Sequence, residues 1–120
     1  MKESDIQKNI MKWSKQPSIR RKYPELKLLH HIPNGGKRSK REGAELKRQG
    51  VKAGVPDLCL PCPKGHYHGL YIELKTETGD VSMEQSWWID ELNNNGYYTK
   101  ICRGFGEATT TLSDYLSLGE

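Results

Sequence analysis

A chain of 120 residues suffices for one domain with one modest core, and 34% hydrophobic against 28% charged residues is a globular balance at its polar end. No apolar run approaches a membrane span, and the opening MKESDIQKNIMKW lacks the apolar stretch of a signal peptide, so the expectation is a soluble intracellular protein with no membrane partner. The cysteine count of 3 is odd and fits a reducing compartment better than a disulfide framework. The net charge of +4 hides a division. Residues 1–56 hold 15 Lys/Arg against 5 Asp/Glu, and residues 57–120 hold 4 against 10. Lys37–Lys52 alone carries 7 basic and 2 acidic residues. Such a surface suits a polyanion such as nucleic acid, or is simply a solvated helix face.

In chain order, ESDIQKNIMKWSK predicts a helix, with Ile6, Ile10 and Trp13 at helical spacing and Met11 beside them. Pro17 and Pro24 end it and space it from the next element. Leu26–Ile32 is an apolar run between Pro24 and Pro33 and predicts a strand. PNGGKRS reads as a loop, and SKREGAELKRQG as a mostly wet helix with Ser39 as N-cap, Gly50 as its stop, and Ala44 and Leu46 among its few apolar residues. DLCLPC and GLYIELK predict two strands of a hairpin joined by PKGHYH. After the turn TGD comes SMEQSWWIDELNNNG, a helix capped by Ser82 with Trp88, Ile89 and Leu92 inward. YYTKIC predicts a last strand, and FGEATTTLSDYLSL a closing helix with Ala108, Leu112, Tyr115 and Leu116 inward. The order α-β-α-β-β-α-β-α describes an α/β fold: one domain over residues 1–120, with a small mixed central sheet flanked by helices.

The hairpin carries the chemistry. Asp57 opens one strand straight after Pro56, although Asp is depleted in strands and a carboxylate is seldom buried unpartnered. In the next strand Leu70, Ile72 and Leu74 share one face, and Tyr71, Glu73 and Lys75 the other. If the hairpin pairs the Asp57 end with the Glu73 end, two carboxylates and an ammonium converge. Paired carboxylates repel, and a divalent cation resolves the repulsion. Mg²⁺ takes oxygen ligands, commonly one or two carboxylates plus a phosphate, and can polarise a scissile phosphate. Lys75 can then orient water or offset charge on a phosphorane. The plain alternative is a surface hairpin with an ordinary Glu–Lys pair.

Asp57 followed by Glu73-Leu74-Lys75 resembles the PD-(D/E)XK nuclease signature, and the chain is similar to stand-alone VRR-NUC domains, the virus-type replication-repair nucleases. The likeness runs in order through Glu3…Ile6-Gln7, HIPNGGKRS, AELKRQGVKAGVPDL, GLYIELK, Gly79-x-x-Ser82-x-x-Gln85 and GYYTKICRG…EA…YL. It implies a restriction-endonuclease-like core. Asp57, Glu73 and the Leu74 backbone carbonyl are then metal ligands, Glu3 lies near the metal and can act through a water, Lys75 is the catalytic lysine and Gln85 supports the site. It also implies Mg²⁺ or Mn²⁺ as cofactor, a homodimer, branched DNA such as four-way junctions as substrate, and the cytoplasm of a bacterial or phage-infected cell.

Asn34, Gly35, Gly36, Lys37, Arg38, Lys40, Arg41 and Lys47 are the candidate DNA-backbone contacts, with glycines admitting close approach and cations pairing phosphates. Asn34-Gly35-Gly36 also suits an ordinary hairpin turn. His31 is a candidate neighbour of the site, the alternative being that one of His30 and His31 simply packs or caps. Cys59, Cys62, His66 and His68 have residue types that suit zinc, but the pairs come too close together for a usual zinc module, and Cys59 reads more simply as an apolar strand residue. Trp87 cannot share a helix face with Trp88, which leaves it toward solvent, DNA or a second subunit, or partly buried under a neighbouring helix. Two rival functions remain: a restriction-type duplex endonuclease, and a non-catalytic nucleic-acid-binding protein, with or without a stabilising zinc.

Overall fold

The structure is a computed structural model that describes residues 1–33 and 39–119. In chain order the elements are α1 (Glu3–Ser14), α2 (Pro17–Lys22), a 3-10 turn (Pro24–Leu28), β1 (His30–His31), α3 (Lys40–Arg48), β2 (Leu58–Leu60), β3 (Leu70–Lys75), α4 (Met83–Asn94), β4 (Tyr98–Arg103) and α5 (Phe105–Leu116). The strands form one sheet in sequence order. β1–β2 and β2–β3 pair antiparallel, whereas β3 and β4 run parallel, joined by the α4 crossover that a parallel pair requires. This is the mixed, helix-flanked sheet that the periodicity predicts.

The core lies on one face of the sheet. Leu70, Ile72 and Leu74 project there by strand alternation and are buried with Ile6 and Ile10 of α1 and with Ala108, Leu112, Tyr115 and Leu116 of α5. Met11 and Trp13 pack half-buried at its margin. The Tyr115 hydroxyl donates to the Cys62 carbonyl at 2.6 Å, tying α5 to the β2–β3 connection. Removal from water, with the Cys62 thiol nearby, pushes that phenol up to about 12, so it stays a donor. Among the described residues no helix is long and apolar enough to cross a membrane.

Three local expectations are corrected. Leu26–Ile32 is not one strand: Pro24 starts a 3-10 turn, and pairing with β2 is confined to His30 and His31. The fixed φ of proline suits the first position of a helical turn, and this preference prevails over the apolar run. For the same reason Pro17 does not merely end α1 but opens α2. On α4, Leu92 is buried as expected, but Trp88 and Ile89 are only half-buried. By contrast, α3 is as wet as its composition implies. It buries no residue, and Ser39 caps it by accepting from the Glu42 amide at 3.1 Å.

Candidate active site

Asp57 reaches its place through a constrained approach. Gly54 has φ +91°, and a Cβ there would lie 2.7 Å from the Glu84 backbone at the start of α4. Only glycine combines that backbone angle with that closeness. One residue earlier, the Ala53 carbonyl accepts from Trp88 Nε1 at 3.1 Å, so the half-buried indole acts as a strut between α4 and this loop. Pro56 is buried, and the Asp57 carbonyl accepts from the Ile32 amide and from His31 Nδ1, both at 2.8 Å. The end of β1 thus grips the Asp57 backbone, and His31 serves the site by holding this carbonyl.

The hairpin register places Leu58 opposite Ile72, which brings Asp57 and Glu73 to the same end. Asp57 Oδ2 accepts from the Leu74 amide at 2.7 Å. Glu73 is only 2% exposed, and Lys75 Nζ stands 3.9 Å from Glu73 Oε2, long for an ion pair. Burial, first, and then the charge and hydrogen bond of Asp57 push the Glu73 carboxyl up to about 8, with Glu3 adding to the rise and Lys75 opposing it. The predicted convergence of Asp57, Glu73 and Lys75 is thus present, with Glu3 in electrostatic range.

Gln85 has two functions at once. Its Nε2 donates to Glu73 Oε2 at 3.0 Å, and its Oε1 accepts from the Ser82 amide at 2.9 Å. The second bond completes a capping box, because Ser82 Oγ accepts from the Gln85 amide at 3.1 Å. The first turn of α4 is thereby coupled to the orientation of the Glu73 carboxylate. Gly79, a motif position with no role assigned to it from the sequence, forms a wall of the site. A Cβ there would lie 3.4 Å from Lys75 Cδ and 3.6 Å from Glu3 Oε2. The only sequence signal for this proximity is its place between Lys75 and the helix cap.

The other candidates are distributed differently. Lys40, Arg41 and Lys47 are exposed on α3, while Asn34, Gly35, Gly36, Lys37 and Arg38 lie outside the described residues. The zinc set is not assembled: among the described residues no group of three or more His, Cys, Asp or Glu is arranged to hold a metal ion. Cys59 is buried in β2, and the exposed His68 ring packs against Tyr97. Trp87 is 58% exposed and meets Trp88 edge-on, so it is neither core nor covered by a described helix of this chain.

The acidic site offers two carboxylates in contact, short of a full protein cage. Its donors are nevertheless all oxygen, and Asp57 beside the buried Glu73 disfavours two negative charges there, a repulsion that Lys75 only partly offsets. That donor set fits a hard divalent ion which keeps waters and completes its shell from substrate.

The VRR-NUC domain family model matches residues 1–106. A solved structure described as a VRR_NUC domain protein superposes with a TM-score of 0.85 at 32% identity, over 100% of this chain and 92% of that one. No curated protein gives a match. With a nuclease-type fold, a family match that takes in every residue of the acidic site, and a solved relative alike over the whole of this chain, the chain belongs to the VRR-NUC family.

Proposed function

We propose that the protein is a metal-dependent endodeoxyribonuclease that hydrolyses phosphodiesters in branched DNA such as four-way junctions. The observation that carries this reading is the cluster of half-buried Asp57 with buried Glu73 and Lys75 on a nuclease-type fold. Asp57, Glu73 and the Leu74 carbonyl would hold Mg²⁺ or Mn²⁺, with Glu3 acting through a water. Such an ion supplies Lewis acidity toward a scissile phosphate and makes water more acidic.

The chain's own groups do the remainder. Asp57 is held through Oδ2 by the Leu74 amide, a bond that fixes the carboxylate that would help to hold the ion. Gln85 fixes the rotation of Glu73 through Oε2. Lys75 presents an ammonium that can hold the attacking water by a hydrogen bond and offset charge developing on the phosphoryl oxygens. Exposed Lys40, Arg41 and Lys47 supply contacts to phosphates, which read shape and not base sequence. A homodimer would present two such sites to the two-fold symmetry of a junction.

The test uses purified protein with four-way junctions, flaps, plain duplex and single strands, in Mg²⁺, Mn²⁺ or EDTA. Junction cleavage should need the metal. Asp57→Ala should abolish it, and Lys75→Ala should lower kcat by about 10²–10³-fold, both with the fold intact. Binding without cleavage in every metal would end the nuclease reading. Cutting of plain duplex at one fixed sequence would replace it with a restriction-type activity. Light scattering that finds a monomer at micromolar concentration would remove the dimer.

A further inference from the structure

Arg103 ends β4, directly across from Lys75 in the parallel register of β3 and β4. Two cations side by side on neighbouring strands repel unless at least one is engaged elsewhere. The Arg103 guanidinium is engaged: Nη1 donates to the carbonyls of Thr76 and Gly79, both at 2.8 Å, and lies 3.3 Å from that of Glu77. These three carbonyls belong to the turn between β3 and α4, and none is near Arg103 in sequence. The Arg103 amide in turn donates to Glu107 Oε1 at 2.9 Å, which fixes the residue to the first turn of α5.

The turn so gathered borders the acidic site on two sides. Gly79 lies along the Lys75 stem and the Glu3 carboxylate. Three residues on, Ser82 caps α4 and binds the side chain of Gln85, which holds Glu73. One end of the turn is therefore fixed by Arg103 and the other by the capping box. Without the guanidinium, the Thr76 and Gly79 carbonyls lose their charged donor, and the chain that confines the Lys75 side chain is free to shift.

We propose that Arg103 is a positioning residue: by drawing the Thr76, Glu77 and Gly79 carbonyls to one point it presses Gly79 against Lys75 and holds the ammonium over Glu73. This inference rests on the nuclease reading for its consequence in rate, but not for its geometry. A displacement of about 1 Å at a reacting group can cost on the order of 10²-fold in rate. The guanidinium itself is occupied by the turn carbonyls, so the loss should fall on rate and not on DNA affinity.

Arg103→Met, Arg103→Lys and Gly79→Ala are compared with the wild type on a four-way junction. Arg103→Met should lower kcat by roughly 10–100-fold with KM and junction affinity in EDTA unchanged. Arg103→Lys, which keeps a charged donor, should recover part of that loss. Gly79→Ala keeps Arg103 but crowds Lys75 Cδ and Thr76 Oγ1, and should lower kcat while melting cooperatively. In parallel, NMR of the metal-free protein should show cross-relaxation between the Gly79 Hα protons and the Lys75 Hδ protons in the wild type, lost in Arg103→Met. Persistence of that cross-relaxation in Arg103→Met overturns the proposal, as does an unchanged kcat in both Arg103→Met and Gly79→Ala. If Arg103→Met does not fold, Arg103→Gln takes its place in both readouts, with the same outcomes deciding. A wild type that cuts nothing removes the nuclease reading, and the NMR comparison still decides the role of Arg103.

Discussion

At Glu73 burial and the neighbouring Asp57 act in the same direction, and together they hold the proton to about pH 8 in the metal-free protein. An unfolded Glu loses its proton near 4.5, the ordinary value. Between these limits the folded state binds a proton that the unfolded state has released, so stability falls as pH rises. Metal-free wild type should therefore lose on the order of a few kcal/mol between pH 5 and pH 9 through this one group. Glu73→Gln keeps the shape and the hydrogen bonds of the protonated form but cannot ionise. In EDTA it should show a flatter profile and exceed the wild type in stability at pH 8.5. Urea unfolding at a series of pH values measures both, and parallel profiles for the two proteins would contradict the assignment. The same residue that costs stability in EDTA is the one the proposed cation would compensate, so added Mg²⁺ should flatten the wild-type profile.

The loop into β2 and the first turn of α4 show how much of the site depends on short backbone devices. Gly54→Ala forces a Cβ into the Glu84 backbone at a φ that favours glycine, and no flexible side-chain end is there to move aside. We expect a loss of about 1–3 kcal/mol in unfolding free energy, with reduced cleavage because Asp57 is displaced. A thermal melt equal to wild type would show that the loop reaches Asp57 by another route. The hairpin and its acidic pair were legible in the sequence because strand alternation and a hairpin's pairing are periodic signals, and Asp57 broke the pattern visibly. Ser82 and Gln85 were legible as a cap and as a family position, although not as one device serving both. The roles of Arg103 and Gly79 were not legible, because their partners are turn carbonyls and a side-chain stem, which leave no mark in residue type. Leu26–Ile32 reads as a longer strand than the pairing at His30 and His31 because an apolar run carries no sign of where its hydrogen-bond partner ends. Here the partner β2 has only three residues, Leu58–Leu60.

Across the whole molecule the charge division of the sequence becomes a division of surfaces. α3 presents Lys40, Arg41 and Lys47 in the open, while Arg48 is drawn to Glu45 of its own helix. α4 carries Glu84, Asp90 and Glu91 with no Lys or Arg. The proposed DNA substrate would be drawn toward α3 and repelled from the outer face of α4, where Trp87 and Met83 stand exposed. Contacts of this kind release condensed counterions, so each phosphate pairing adds about 0.9 to the slope of log K against log salt. Replacing Lys40, Arg41 and Lys47 together by Ala should reduce that slope by up to about 2–3 and weaken binding to every DNA shape alike. At low salt and saturating junction, kcat should stay at the wild-type value, because none of the three belongs to the Asp57–Glu73–Lys75 cluster. Fluorescence anisotropy over a salt series separates the outcomes. An unchanged slope would mean that α3 is only a solvated face. A selective loss of junction over duplex would mean that it reads branch geometry as well as charge.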